Sequence, residues 1–148
     1  MEEKIIQSQN LMLQVILANT SSAMKISKTL SEHSDDKIMR ADNIICGLVY
    51  RLMTPMTDEE IEESMHSAED ILFNDSSSED EDNNDELVDD IKDFEISRKV
   101  KTNNCNCNIC SHTRVCLLNF NDYIPKDELG DKFKKSIIET CHKYNKII

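Results

Sequence analysis

Glycine and proline are nearly missing from this 148-residue sequence, two of each, and tryptophan is missing altogether. With Gly47, Gly130, Pro55 and Pro125 as the only such punctuation, there is no glycine-rich phosphate cradle, no dinucleotide fingerprint and no nucleophile elbow. Sandwiches and barrels of many short strands need turn residues every ten positions or so, and most of the chain has none, so a mainly α protein is expected. Long apolar runs are lacking too. None approaches the roughly 18 residues needed to cross a bilayer, and the first residues, MEEKIIQSQN, are acidic where a secretory signal is basic. The expectation is an intracellular protein of the cytoplasm or nucleus, with no membrane and no small-molecule substrate, built as one domain or two very small ones.

The net charge of -12 is unevenly spread. Residues 1–56 balance six acids with six bases, residues 57–96 set eighteen acids against Lys92 alone, and residues 97–148 hold ten bases and five acids. An acidic middle beside a basic tail can fold back on it, mimic nucleic acid to a basic partner, or simply be a solvated linker.

Between Glu3 and Leu30 nothing breaks a helix, and Ile6, Leu13, Ile16, Leu17, Met24 and Leu30 recur at spacings of three, four and seven. This predicts one long amphipathic helix, or two with a joint near 19–22. Such a length calls for a second helix or a second copy alongside, so self-association or a protein partner through residues 1–53 is expected. An intrachain hairpin is the competing reading, since Asp35 to Met53 offers Ile38, Ala41, Ile45, Leu48, Val49 and Leu52 on one face, with Cys46 just off it as a packed thiol. Thr54-Pro55 ends that helix. Thr57 as N-cap with Glu60 three residues on, and Met56 and Ile61 placed for a staple, predicts a third helix from Asp58 to Phe73 with Ile61, Met65, Ala68 and Leu72 inward. His33 and His66 have no flanking ligands and read as surface or capping residues.

Residues 74–86 hold no apolar side chain and read as a disordered acidic linker between a helical unit, 1–73, and a small α/β module, 87–148. Ser76, Ser77 and Ser78 each precede an acid by three positions, the pattern acidophilic kinases accept, and phosphorylation would add negative charge there. Leu87, Ile91 and Phe94 suggest a short amphipathic helix beyond.

The chemistry is concentrated in residues 105–116, CNCNICSHTRVC. In a reducing compartment, cysteines at this spacing hold metal more often than they form disulfides, and zinc takes thiolate and imidazole, four at a time when structural. Two ligand sets are self-consistent: Cys105, Cys107, Cys110 and Cys116 locally, or Cys107, Cys110 and Cys116 closed by Cys141 from a last helix over 126–145. His112 and His142 are alternates, and simple packing of Cys141 stays open. The last helix should present Leu129, Phe133, Ile137, Cys141 and Tyr144 along one stripe, while Val115, Leu117, Leu118 and Phe120 look like a strand. Some 45 residues bury too little surface to fold unaided, so one structural zinc per chain, coupled to folding, is expected. Neither H-x-E nor H-E-x2-H occurs, so no catalytic residue is assigned. Thiol redox chemistry at Cys107 and Cys110 is the enzymatic alternative, though it expects a strand-to-helix setting.

The stretches CNICSHTRVCLLNFNDYIPKDELGDKFKKSI and ADNIICGLVYRLMTPMTDEEIEESM, about half the chain, resemble small uncharacterised Cys/His-cluster proteins of giant nucleocytoplasmic DNA viruses. That resemblance implies a viral protein acting in an infected eukaryotic cell, in gene expression or particle assembly, and carries over no catalytic residue.

Three function classes follow. One is a non-enzymatic adaptor whose basic zinc module binds nucleic acid or protein, with Lys99, Lys101, Arg114, Lys126, Lys132, Lys134, Lys135 and Lys143 as phosphate contacts and the acidic arm modulating it. The second is a RING-like or treble-clef interaction module that recruits an enzyme. The third is an acidic chaperone of histones or other basic proteins.

Overall fold

The computed structural model describes residues 1–73 and 97–148. The linker, the helix expected around Leu87 to Phe94 and Ser76, Ser77 and Ser78 lie outside the described residues. Within them are five helices, α1 (Glu2–Glu32), α2 (Ala41–Met53), α3 (Asp58–Phe73), α4 (Asn108–Asn119) and α5 (Glu128–Lys143), and two short strands, β1 (Arg98–Lys99) and β2 (Lys146–Ile147). The mainly helical expectation holds.

α1 is a single helix without a joint at 19–22. Asn19 and Thr20 stay in the helix by turning their side chains back onto the carbonyls of Val15 and Ile16 (2.8 and 2.9 Å). It ends at Glu32, and α2 begins only at Ala41, not Asp35. Lys37 takes a left-handed backbone (φ 54°), and Asp36 accepts hydrogen bonds from the Ile38 N–H and the Arg40 guanidinium, which stabilises a loop instead of a helical turn. Ile38, expected on the inner face of α2, is therefore exposed.

α1 and α2 approach closely at Gly47, where an added Cβ would lie 2.1 Å from Ser27 Oγ and 2.5 Å from the Ala23 carbonyl oxygen. The α3 start follows the expected capping box: Glu60 N–H donates to Thr57 Oγ1 (3.3 Å), and Thr57 N–H donates to Glu60 Oε2 (3.2 Å). Its buried face is Ser64 and Ala68, small residues that let α3 lie close to α1, while Ile61 is exposed.

The main core joins Ile45 and Val49 of α2 to Cys116 and Phe120 at the end of α4 and Ile137 and Cys141 of α5. Residues 1–73 and 97–148 thus share one apolar cluster. The run Val115 to Phe120, expected as a strand, is helical. The buried positions of α4 and its C-cap, Cys110, Thr113, Cys116 and Phe120, recur every three or four residues, and Val115 and Leu118 face solvent, so burial on the helical period prevails over the strand-like apolar run.

β1 and β2 pair in parallel, Arg98 with Lys146 and Lys99 with Ile147. Asp42, in the first turn of α2, fastens β2 and the segment just beyond β1: its carboxylate accepts from Lys101 N–H (2.9 Å) and from Lys146 Nζ (2.7 Å). These contacts bring the segment leading into the cysteines against the body of the protein.

Candidate metal centre

Three cysteines and one histidine converge at the junction of α1 and α4. His33 caps the C-terminus of α1, Cys107 caps the N-terminus of α4, Cys110 lies in its first turn and Cys105 sits in the preceding turn. His33 Nδ1 stands 3.2 Å from Cys105 Sγ, 3.3 Å from Cys107 Sγ and 3.5 Å from Cys110 Sγ. All four donor atoms lie within 4.8 Å of one another. A tetrahedral ion with bonds of about 2.3 Å to sulfur and 2.0–2.1 Å to nitrogen places such donors about 3.6 Å apart, so the four fit one first-row cation.

The surroundings favour thiolate. Cys107 Sγ accepts from the Cys110 backbone N–H (3.5 Å), and Cys105 Sγ accepts from the Cys107 N–H (3.5 Å), at the N-terminal, positive end of α4. The Cys110 N–H, with the neighbouring thiols and His33, holds the Cys107 thiol down at about 6, which favours its thiolate form. Burial pushes the Cys110 thiol the other way, to about 11, and a bound cation would supply the charge that favours its deprotonation.

A second layer positions these donors. Asn103 Nδ2 donates to Cys110 Sγ (3.3 Å) and to the Leu30 carbonyl (3.0 Å), linking the cysteine segment to the last turn of α1, while Asn103 Oδ1 accepts from Cys105 N–H (3.2 Å). Arg114 holds the turn from the other side through the Asn103 carbonyl and Asn106 Oδ1. Leu30, Cys46 and Cys110 form a buried apolar cluster, and Ile26, Ile109 and Leu117 pack on it.

Both expected ligand sets included Cys116, and the second added Cys141. The structure places neither thiol with the other cysteines: both are buried in the α2–α4–α5 core, and burial raises both thiols. Cys116 lies about 1.7 turns along α4 from Cys110, on a different side of the helix, and its sulfur is not among the four converging donors. His112 instead shares a hydrogen bond with Thr54 Oγ1 (3.0 Å) and packs edge-on against Tyr50, and His142 is exposed on α5. His33, read from the sequence as a surface or capping residue, is the fourth member. It does cap α1, but its ring turns toward the cysteines. Cys46 is the packed thiol expected, and its burial pushes it up to about 12.

The basic residues do not share one face. Lys99 and Lys101, with Arg40, Arg98 and Lys146, line a cavity of about 590 Å³ that also holds Asp35, Asp36 and Asp42. Arg114 is taken up by the cysteine turn, Lys134 donates to the carbonyls of Asn121 and Tyr123, and Lys132 and Lys135 pair with Glu128 and Asp131 along α5. Lys143 lies over the Tyr144 ring, and Lys126 borders a different cavity. Among the described residues no helix is long and apolar enough to cross a membrane.

Compared with known proteins, the chain matches no family model, no curated protein and no solved structure.

Proposed function

We propose that this chain is a non-enzymatic zinc protein in which one structural zinc, held by His33, Cys105, Cys107 and Cys110, clamps the end of α1 to the start of α4 so that the helical body can serve as an adaptor. The observation that carries the reading is the single ring nitrogen of His33 within 3.5 Å of three sulfurs from a segment more than seventy positions away. Three thiolates and an imidazole select zinc over the harder magnesium and calcium ions, and four protein donors complete a tetrahedron without an open position for substrate. The metal would therefore act on folding. The alternatives of a RING-like recruiter and an acidic chaperone draw less support: a cross-braced RING takes eight ligands, and the centre described has four.

Native mass spectrometry of protein purified without added metal tests this. One zinc per chain, with loss of helical signal and of cooperative unfolding on chelation, is the expected result; a metal-free chain that folds identically with and without chelator overturns it.

A second reading, nucleic-acid binding, draws on the cavity where Arg40, Arg98, Lys99, Lys101 and Lys146 meet. Phosphate contacts there would be salt-sensitive and sequence-tolerant. Fluorescence anisotropy with labelled single- and double-stranded oligonucleotides should then show affinity that falls steeply with salt and is weakened by Lys99→Glu with Lys101→Glu. Binding unchanged in that variant would count against the cavity.

A further inference from the structure

α1 reads as a heptad seam in which Gln9, Ile16, Ala23 and Leu30 occupy one core position and Ile5, Met12, Asn19 and Ile26 the other. Its C-terminal half is packed: Ala23 and Leu30 are buried, and Ile26 lies against Leu30, Cys46 and Cys110. Among the described residues nothing covers its N-terminal half. Every residue from Met1 to Leu13 is exposed, and Ile5, Met12 and Ile16 keep 57%, 60% and 40% of their surface in solvent. No charge interrupts the helix between Lys4 and Lys25. A shallow groove along the arm is lined by Lys4, Ile5, Ser8, Gln9 and Met12. At its base the seam meets a cavity of about 580 Å³, whose walls include Val15, Ile16, Leu129 and Phe133 together with exposed Lys126.

We propose that this bare seam is covered by α1 of a second copy of the chain, running antiparallel, with the tip of each helix seated at the other copy's cavity. The pattern is complementary to itself. Setting Ile5 against the partner's Ile16 brings Gln9 opposite the partner's Met12 and Glu2 opposite the partner's Asn19, which also lines the cavity. The acidic tip, Glu2 and Glu3, then approaches Lys126. None of these three residues takes part in an ion pair among the described residues. A partner recognised by charge would find only Lys4 at the mouth of the groove, whereas a second copy supplies both the apolar stripe and the opposite charge at each end. From Ile5 to Ile16 the seam spans about 16 Å, short for a helix pair alone, and the two tip-to-cavity contacts extend it toward the roughly 1,200 Å² that stable dimers bury.

Sedimentation velocity of the full, zinc-loaded chain from about 5 to about 200 µM tests the proposal. The expected result is a concentration-dependent dimer that Ile5→Glu and Ile16→Glu each abolish while far-UV circular dichroism and zinc content stay unchanged. Ile5 is exposed on the free arm, so its substitution does not threaten the fold. Lys126→Glu should weaken the dimer about five-fold, and Glu2→Lys with Glu3→Lys in the same chain should restore it. A monomer over the whole range overturns the proposal, as does a dimer indifferent to Ile5→Glu or a Lys126→Glu defect that the reciprocal charges do not repair.

Discussion

His33 Nδ1 lies 3.2 Å from Cys105 Sγ although 72 positions separate the two residues in the chain. A metal bound there closes a loop of that length, and by analogy with a disulfide such closure removes chain entropy from the unfolded state worth about 4 kcal/mol. The contact also makes His33 the most informative residue to change.

His33→Ala is expected to leave three thiolates and weaken zinc binding about 100-fold or more, with a corresponding fall in thermal stability. His33→Cys should restore much of the affinity, because a fourth thiolate is as good a donor. Competition against a chromophoric zinc chelator reads both, and a His33→Ala chain with unchanged affinity would remove the histidine from the site.

The thiols of Cys116 and Cys141 should behave in the opposite way to His33. Cys116→Ala and Cys141→Ala are expected to keep one zinc per chain while costing about 1–3 kcal/mol of stability, since each thiol is buried among Val49, Phe120 and Ile137. Cys105→Ser should instead lower metal affinity. Metal analysis and urea unfolding on the three variants separate ligands from packing residues.

Gly47→Ala should destabilise the protein by about 3 kcal/mol. The new methyl meets the Ala23 carbonyl, which is backbone and cannot rotate aside, so α1 and α2 must part along their contact. The shift in urea midpoint checks this, and a neutral substitution would mean that the helices already sit farther apart.

Acid should erode the half-buried ion pair of Arg51 and Glu60. The buried Arg51 guanidinium donates to Glu60 Oε2 (2.8 Å) and holds the Glu60 carboxyl below its usual range. The folded state therefore binds that proton less readily than the unfolded state. The stabilisation is present above the ordinary glutamate pKa of about 4.3 and is lost as pH falls through the lower folded value. Unfolding midpoints measured from about pH 3 to 6 should fall more steeply for the wild type than for Glu60→Gln. At neutral pH, Glu60→Ala should cost more than Arg51→Met: the first strands a buried guanidinium whose Nε already lacks a partner among the described residues, and the second removes it.

The cysteine centre was legible where its geometry is local. Cys105, Cys107 and Cys110 fall within one turn and the start of one helix, so their spacing alone brings them together. His33 was not legible, because its partners are distant, nothing in SEHSDD marks a ligand, and Cys116 already completed a set of four cysteines within twelve residues. Cys116 misled for the converse reason. It is near the others in sequence, but the α-helical rotation of α4 carries it to the opposite packing cluster. The capping box at Thr57 and Glu60 was readable because both partners lie within four residues. The α1–α2 loop was not, because a positive φ at Lys37 has no signature in a residue that rarely adopts it.

The order in which the donors are synthesised gives the site a place in the life of the protein. His33 leaves the ribosome long before Cys105, Cys107 and Cys110, so α1, α2 and α3 can assemble from neighbouring contacts while the histidine waits for thiols that have yet to be translated. On the proposed reading, a metal can be captured only once Cys110 has been made, and a shortage of it would be felt first by newly made chains, in which the end of α1 and the start of α4 are still unjoined.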